Sequence, residues 1–341
     1  MVVRAVESVL PQCREGDEVI VVDDASTDDT ATSLRAFGDR IRYERVRHGG
    51  AGWARNSGID LSRNPLVAFL DSDDEWLPGK LDLQRALMAA RPDVLFCFTD
   101  WFYRRPNGKE FHGVLRYLCG EEWFQEDCAP AVPFSSIAAL PAGQADVPVY
   151  VGDLYAKQME KEFVQVGTLV YRRDGPAAAL RFPEDLRTRE DWEFVGRLAR
   201  LGPAAYLDYE SEVVHRHAEG QLTNLDDFLL VKARIKLLQR VWGEDEVFQR
   251  THSERYRRLL DELRVQRVKD LIGDGSLDEA REELRRVQHP PMMLRVLGAL
   301  PAPLPSALVH GRRRLRQWLR SGGSPRRVGP LTLALVAGLT E

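Results

Sequence analysis

Residues Val67–Pro78 read VAFLDSDDEWLP, an apolar run that leads directly into a cluster of carboxylates. A short apolar run bounded in this way predicts a strand buried on both faces of a sheet. In open α/β sheets, ligands bind beyond the carboxyl ends of the strands, which is where Asp71, Asp73 and Asp74 stand. Two interpretations are open at this point. The cluster is either a site that holds a cation between crowded carboxylates or a solvated acidic turn.

Strands and helices alternate on both sides of this stretch. The pattern predicts, in chain order, helix Val2–Leu10, strand Glu18–Val22, helix Thr30–Phe37, strand Ile41–Val46, helix Trp53–Asp60, strand Leu66–Leu70, helix Lys80–Ala90 and strand Asp93–Phe98. Alternation at this interval predicts a mostly parallel sheet covered by helices. Right-handed crossovers then place Asp23 and Asp24 on the same edge as Asp71 and Asp73. Two acidic strand ends on one edge favour a binding site over a solvated turn.

The middle of the chain is less regular. Thr99–Glu162 is rich in aromatic residues and prolines, and we expect loops over the sheet edge that help to contact substrates. Phe163–Tyr171 is predicted as a strand, and Val213–His217 as an edge strand that carries two histidines. Between them, the sequence REDW leads into a helix, for which Thr188 is the predicted N-cap.

Helical periodicity dominates from residue 225 onward. The predicted helices are Phe228–Trp242, His252–Ile272, Leu277–Gln288 and Leu308–Arg320. We therefore predict an α/β domain over residues 1–224 and a helical C-terminal region over residues 225–341. The last of these helices is rich in arginine and leucine. That composition fits an amphipathic helix on an anionic membrane surface and a basic solvated face equally well.

Composition sets the broad class of protein. The chain has 341 residues, of which 44% are hydrophobic and 29% are charged, as in ordinary globular proteins. A net charge of −4 argues against a nucleic-acid partner. The four cysteines show no C-x-x-C spacing, which fits a reducing compartment. No signal peptide is recognisable, and the apolar run Leu331–Leu339 is too short to span a bilayer. We expect a cytoplasmic protein, with peripheral contact to the inner face of the membrane if the arginine-rich helix binds there.

Four motifs carry a family resemblance. In chain order they are IVVDDASTD (Ile20–Asp28), ARNSGI (Ala54–Ile59), FLDSDD (Phe69–Asp74) and REDW (Arg189–Trp192). In this order and spacing they resemble the family-2 glycosyltransferases, which are nucleotide-sugar enzymes of the GT-A fold. The resemblance covers about residues 1–220, and the C-terminal helices match no motif. It implies a GT-A-like domain over residues 1–224, joined to the helical region.

The resemblance assigns the donor side of the site. It implies that Asp23 or Asp24 accepts a hydrogen bond from the nucleotide base or ribose, and that Arg55 also helps to hold the nucleotide. Asp71 and Asp73 correspond to the DxD pair.

The same DxD pair carries the expected cofactor. Asp73 is the more direct ligand of a divalent cation, Mg²⁺ or Mn²⁺, which would bridge the diphosphate, and Asp71 supports it. His217 is a tentative further ligand of the metal or diphosphate, although a single histidine is more often structural.

The resemblance also assigns the acceptor side. Asp191 corresponds to the catalytic base, with Glu190 and Trp192 in the acceptor region. The implied reaction is inverting transfer from a nucleotide sugar, most commonly UDP-linked, to a saccharide or lipid-linked acceptor hydroxyl in surface polysaccharide or glycolipid synthesis. Taken alone, Glu190 and Asp191 are better explained as first-turn acidic residues favoured by the helix dipole, and only their combination with the DxD pair favours the catalytic role.

One departure from the family pattern concerns the start of the chain. The family begins with an apolar strand and a Pro-Thr-Tyr-Asn-like turn, whereas this sequence begins at the helix that follows them. We expect either an upstream start or a sheet that lacks a central strand and leaves backbone unpaired. Two alternative functions stay open: a nucleotidyltransferase acting on sugar phosphates, and a truncated, non-catalytic protein that binds nucleotides or serves as a scaffold.

Overall fold

The computed structural model describes residues 1–120, 128–216, 227–292, 294 and 333–339. The chain divides into two compact units, one formed by Met1–Gln221 with Pro330–Glu341 and the other by Leu222–Gly329. The first unit is an α/β structure built on one sheet, and the second is helical where it is described.

The first unit contains seven of the described α-helices and all the described strands. The helices are α1 (Val2–Val9), α2 (Thr30–Leu34), α3 (Ala51–Leu61), α4 (Lys80–Ala90), α5 (Val114–Cys119), α6 (Tyr155–Glu160) and α7 (Glu190–Leu201). The strands are β1 (Glu18–Asp23), β2 (Arg42–Arg45), β3 (Leu66–Asp71), β4 (Glu75–Trp76), β5 (Phe96–Arg104), β6 (Glu110–Phe111), β7 (Val132–Pro133), β8 (Pro148–Gly152), β9 (Val170–Arg172), β10 (Ala204–His215) and β11 (Leu333–Leu339).

The strands form one mixed sheet in the order β2-β1-β11-β3-β9-β5-β10-β8-β7, with β4 paired to β10 and β6 to β5. Strands β1, β2, β3, β5 and β10 run in one direction, while β9 and β11 run antiparallel between them. The sheet is thus less parallel than predicted. The predicted common edge is present. Strands β1 and β3 run in the same direction and end at this edge with Asp23 and Asp71.

Strand β11 fills the position between β1 and β3. It pairs antiparallel with both strands, and Val336 lies opposite Ile20 on one side and Phe69 on the other. The backbone that a missing central strand would leave unpaired in β1 and β3 is therefore paired with β11. Residues 225–341 were predicted to be helical, and this prediction is wrong for the strand Leu333–Leu339. The reason is that the apolar run satisfies the ladder hydrogen bonds of two central strands, which no local helix could do.

Strands β1 and β3 are buried on both faces, as their apolar runs predicted. In β1, Val19 and Val21 pack in the same cluster as Val6 of α1, whereas Ile20 packs against Ala54 of α3 on the opposite face. Successive side chains of a strand point to opposite faces, so an uninterrupted apolar run needs helices on both sides. Each fully buried valine or isoleucine contributes about 1.5–3 kcal/mol relative to an exposed one.

Several predicted elements differ in extent or position. Strand β5 continues to Arg104 rather than ending near Phe98, and β9 begins only at Val170. Strand β10 lies between β5 and β8, so it is not an edge strand. Thr188 is not the N-cap of α7. That position is taken by Arg189, whose backbone is left-handed with φ 65°, and no side chain caps the helix.

The second unit contains α8 (Asp227–Leu238), α9 (Glu246–Asp274) and α10 (Leu277–Arg285). The carboxylate of Asp245 caps α9 by accepting hydrogen bonds from the backbone of Val247 and Phe248. The predicted helix Leu308–Arg320, with its arginines, lies outside the described residues. Among the helices that are described, none has the length and apolar character needed to cross a bilayer.

Candidate active site

The acidic turn after β3 is held by two other elements. The backbone N–H of Asp74 donates to the Asp71 carbonyl over 3.1 Å, which closes the turn. The Asp74 carboxylate accepts from the backbone N–H of His215 in β10 at 2.9 Å. On the other side, Nη2 of Arg4 in α1 donates to the Asp73 carbonyl at 2.6 Å. The turn is therefore held by its own backbone and by contacts with α1 and β10.

Glu75 continues this network. Its Oε1 lies 2.5 Å from Nε2 of His215 and 3.0 Å from Nε of Arg4. Burial lowers the pKa of His215. The ring of His215 thus contacts the Glu75 carboxylate. The second histidine of this segment, His217, lies outside the described residues. The proposed role of His217 stays a prediction.

Arg55 joins the acidic turn to the start of α7. Its Nη2 donates to Oδ1 of Asp71 at 2.8 Å and its Nη1 to Oε1 of Glu190 at 2.9 Å, with the guanidinium 5.4 Å from the Phe182 ring. Burial alone would lower the pKa of Arg55, but Asp71 and Glu190 together raise it. Burial and the neighbouring Asp191 raise the pKa of Glu190 to about 7, and Arg55 opposes this rise. The buried guanidinium therefore bridges two sequence motifs.

The residue after Arg55 positions α7. The Asn56 side chain donates to the carbonyl of Phe182 at 2.9 Å and accepts from the backbone N–H of the same residue at 2.8 Å. The Phe182 ring stacks on Phe194 of α7 at 3.9 Å and meets Phe69 of β3 edge to face at 5.2 Å. Paired aromatic rings of this kind add about 0.5–1.5 kcal/mol beyond their burial. The motif ARNSGI thus fixes both the charge bridge and the packing of α7 on β3.

The first turn of α7 presents Asp191, whose side chain is partly buried. Its Oδ1 accepts from the backbone N–H of Trp192 at 2.8 Å. Glu162 forms a hydrogen bond with Asp191 and an ion pair with Arg189. Burial, followed by the charge of Asp191, raises the pKa of Glu162 to about 8. The raised pKa favours the protonated carboxyl, which can donate a hydrogen bond to Asp191, while the charge of Arg189 opposes the rise.

The other two residues assigned to the acceptor region are buried. Glu190 faces Arg55, as described above. The indole Nε1 of Trp192 donates to the carbonyl of Gln158 at 2.6 Å. Neither side chain offers an open surface to an acceptor in this structure, and both support the position of Asp191.

The acidic pair after β1 is engaged with nearby loops. Asp23 accepts from the Tyr43 hydroxyl and from the backbone N–H of Ser26, and although burial acts to raise its pKa, these hydrogen bonds lower it overall. The Asp24 carboxylate accepts from the backbone N–H groups of Gly49 and Gly50, at 2.7 and 2.9 Å. Asp24 therefore shapes the glycine turn before α3, and Asp23 lies at the sheet edge.

Several buried ionisable side chains lie close to the acidic turn. Glu212 of β10 is fully buried, and neither of its carboxyl oxygens has a hydrogen-bond partner among the described residues. Burial and the charge of Asp71 raise its pKa well above the usual value. Burial, together with Glu212 and Asp73, does the same to Asp74. The neighbouring Lys80 is also buried, which lowers its pKa to about 7. The site therefore carries an excess of acidic groups.

These acids do not form a closed protein cage for a metal. Within the described ranges, no three His, Cys, Asp or Glu side chains converge as metal ligands. Mg²⁺ at nucleotide sites is usually held by one or two carboxylates plus phosphate oxygens and water. The carboxylates of Asp71, 32% exposed, and of partly buried Asp73 match that open arrangement.

Two residues of the site, Glu162 and Glu212, were missed in the sequence analysis. Glu162 follows a short helix and belongs to no motif, so only the tertiary fold brings it to Asp191. Glu212 is different, because it directly precedes the apolar pair Val213–Val214 near the end of β10. An acidic residue at an inward position of a buried strand was a usable signal.

Residues 1–135 match the sequence profile of glycosyl transferase family 2. The succinoglycan biosynthesis protein ExoO of Rhizobium meliloti is 26% identical over 254 residues, or 74% of this chain and 65% of ExoO. The succinoglycan biosynthesis protein ExoU of the same organism is 43% identical over 86 residues, or 24% of each chain. The chain thus spans only part of the length of the curated relatives that it matches.

The fold of this chain is similar to that of a solved structure. The crystal structure of S. aureus TarS 1-349 is similar with a TM-score of 0.50 and 15% identity, covering 95% of this chain and 89% of that one. This likeness confirms the predicted GT-A-like fold class. The family match to residues 1–135 confirms the resemblance for the three motifs that lie in this range, Ile20–Asp28, Ala54–Ile59 and Phe69–Asp74. The fourth motif, Arg189–Trp192, lies outside it.

Proposed function

We propose that the first unit is an inverting glycosyltransferase that moves a sugar from a nucleotide sugar, UDP-linked as the first expectation, to an acceptor hydroxyl. The observation that carries the proposal is the double ion pair of Arg55 with Asp71 and Glu190. Through it, the acidic turn after β3 and the first turn of α7 are held on one edge of the sheet. A donor bound at the turn would then lie within reach of a base on the helix.

Asp191 is the proposed general base. It takes the proton from the acceptor hydroxyl while that oxygen bonds to the anomeric carbon and the bond to the nucleotide diphosphate breaks on the opposite face, so that the configuration inverts. Glu162 supports this role because burial raises its pKa to about 8, so that its carboxyl can donate a hydrogen bond that orients Asp191. Positioned proton transfer of this kind contributes about 10²–10⁴-fold to a rate.

The donor side is proposed to use Asp71 and Asp73 with Mg²⁺ or Mn²⁺. The partly exposed carboxylates of Asp71 and Asp73 support a bound cation, because they leave room for phosphate oxygens and water as further ligands. When bound, the cation would supply charge neutralisation for the departing diphosphate. Arg55 keeps the Asp71 carboxylate in place, and Asp23 lies at the same edge for contact with the nucleoside.

The proposed acceptor is a saccharide, free or lipid-linked, in the synthesis of a surface polysaccharide or glycolipid. The names of ExoO and ExoU, both succinoglycan biosynthesis proteins, support a polysaccharide product. Peripheral membrane contact through the arginine-rich stretch Leu308–Arg320 stays a prediction, because these residues lie outside the described part of the chain.

The test measures release of nucleoside diphosphate from a panel of nucleotide sugars with Mn²⁺, with and without a chelator. Turnover should depend on the metal and be lost in Asp73→Ala and in Asp191→Ala. Asp278→Ala serves as the matched control, because the Asp278 side chain is 99% exposed in the second unit. Unchanged turnover in both site variants would overturn the assignment. Release of pyrophosphate instead would favour a nucleotidyltransferase, and folded protein without metal-dependent nucleotide binding would favour a non-catalytic scaffold.

A further inference from the structure

One face of helix α1 contacts the acidic turn and the short strand that follows it. Nη2 of Arg4 donates to the backbone carbonyl of Asp73 at 2.6 Å. One helical turn later, Oγ of Ser8 accepts from the backbone N–H of Trp76 in β4 at 3.0 Å. Residues four positions apart lie on the same face of a helix, so both contacts come from one side of α1. Neither Arg4 nor Ser8 belongs to the four family motifs.

A different face of α1 fixes the helix on the sheet. Its buried residues belong to a large apolar cluster that includes β1 and β3, and they are Val2, Ala5, Val6 and Val9. Because this packing holds the helix in place, the Arg4 side chain extends towards the turn from a rigid support.

The guanidinium of Arg4 makes two contacts at once. While Nη2 binds the Asp73 carbonyl, Nε lies 3.0 Å from Oε1 of Glu75 in an ion pair. The same oxygen of Glu75 lies 2.5 Å from Nε2 of His215 in β10. The planar fork of an arginine suits two such acceptors, because its N–H groups are fixed relative to one another. The contact with Glu75 therefore keeps the guanidinium oriented towards the Asp73 carbonyl.

The carbonyl that Arg4 binds belongs to the residue proposed as the more direct ligand of the cation. The Asp73 carboxylate branches from the same backbone unit, so a displacement of this carbonyl also displaces the carboxylate. Functional groups have to be held within about 0.5 Å of their productive positions. Removal of a group that orients a metal ligand typically lowers metal affinity or activity about 10–100-fold.

We propose that Arg4 is a positioning residue of the cation site, which places the Asp73 carboxylate through the hydrogen bond to the Asp73 carbonyl. The inference rests on the proposed use of Asp71 and Asp73 with a divalent cation. The positive charge of Arg4 acts in the opposite sense, because a guanidinium beside the turn repels a cation. Loss of the charge alone would tighten cation binding, whereas loss of the positioning contact weakens it. The sign of the change therefore separates the two effects.

The test measures Mn²⁺ binding to the full chain in the presence of saturating UDP, with free Mn²⁺ followed by electron paramagnetic resonance. Arg4→Gln should weaken Mn²⁺ binding about 10–100-fold. Arg14→Gln is the matched control, because it removes the same charge from a half-exposed ion pair with Asp82, and it should leave the affinity unchanged. An unchanged or tighter affinity in Arg4→Gln overturns the proposal.

A purely structural role of Arg4 predicts a different result in the same titration. Loss of folded protein lowers the number of Mn²⁺ sites per chain and leaves the affinity of the remaining sites unchanged, and this outcome also overturns the proposal. If Arg4→Gln does not fold, Arg4→Lys takes its place. It keeps the charge beside Glu75 but has one nitrogen in place of the fork, so Mn²⁺ should still bind more weakly than in the wild type. An affinity in Arg4→Lys equal to that of the wild type then overturns the proposal.

The wild type keeps the two proposals apart. If it binds no Mn²⁺ in the presence of UDP, the proposed cation site itself is overturned. If it binds Mn²⁺ and Arg4→Gln binds equally well, only the positioning role of Arg4 is overturned.

Discussion

Nη1 of Arg55 donates to Oε1 of Glu190 at 2.9 Å, and the two residues are 135 positions apart in the sequence. Because the other amino group of Arg55 binds Asp71, a single buried cation holds the end of β3 and the start of α7 together. This contact explains why the sequence motifs around these three residues belong to one site. It also makes the geometry of the site depend on one side chain.

Removal of Arg55 should destabilise the first unit strongly. Arg55→Met leaves the Glu190 carboxylate buried without its partner, which costs about 3–5 kcal/mol of unfolding free energy. Urea denaturation followed by tryptophan fluorescence measures the change. Arg63→Met, at an exposed arginine, should stay within about 0.5 kcal/mol of the wild type.

A double variant checks the cause of this loss. If the unpaired Glu190 carboxylate is responsible, Arg55→Met combined with Glu190→Gln should recover part of the lost stability. The reason is that a neutral amide is less costly to bury than an unpaired carboxylate. Strictly additive losses from the two substitutions would contradict the bridge.

Glu162 should make stability depend on pH. Its folded-state pKa of about 8 exceeds the ordinary 4.5, so the folded protein binds this proton more tightly than the unfolded chain. The stability it contributes is complete below about pH 4.5 and is lost as the pH rises towards about 8. Glu162→Gln should therefore gain unfolding free energy relative to the wild type between about pH 5 and pH 8. A difference independent of pH, as expected for the exposed control Glu15→Gln, would argue against a protonated Glu162.

Glu212 should be a source of instability in the fold. Its buried carboxyl has no hydrogen-bond partner among the described residues, and an unsatisfied buried polar group costs about 1–3 kcal/mol. Glu212→Met, which keeps the volume and removes the polar oxygens, should raise the unfolding free energy by roughly that amount. Thermal and urea unfolding measure it. A loss of stability would show that the carboxyl has a partner in solution.

Strand β11 should be essential for the integrity of the sheet. The Val336 backbone lies between Ile20 and Phe69 in the ladders to β1 and β3. Val336→Pro removes a donor at a central position, so we expect a loss of more than about 1 kcal/mol and aggregation through the exposed strand edges. Val336→Ala keeps the N–H and serves as the control. Equal stability of the two variants would contradict the placement of β11.

Local patterns in the sequence predicted much of the fold. Helix α4 has the predicted bounds Lys80–Ala90, and β3 differs from the predicted Leu66–Leu70 by one residue. Such elements follow from periodicity and turn residues that act over a few positions. The common edge of Asp23 and Asp71 followed from the direction of alternating strands.

Contacts between distant residues were not accessible in the same way. The apolar run at Leu333–Leu339 gives no sign that it pairs with β1, more than three hundred positions away, because pairing is decided by which strands lack a neighbour. Arg55 was predicted to hold the nucleotide, and that role stays a prediction. Its bridge between Asp71 and Glu190 depends on burial, which the motif alone does not reveal.

The most direct test of the proposed function compares wild type and Asp191→Asn in a full transfer reaction, with the anomeric configuration of the product followed by NMR. We predict inversion by the wild type, and a kcat lowered about 10²–10⁴-fold in the variant with donor affinity unchanged. A product that retains configuration, or a kcat in Asp191→Asn within about tenfold of the wild type, would contradict Asp191 as the base of an inverting glycosyltransferase.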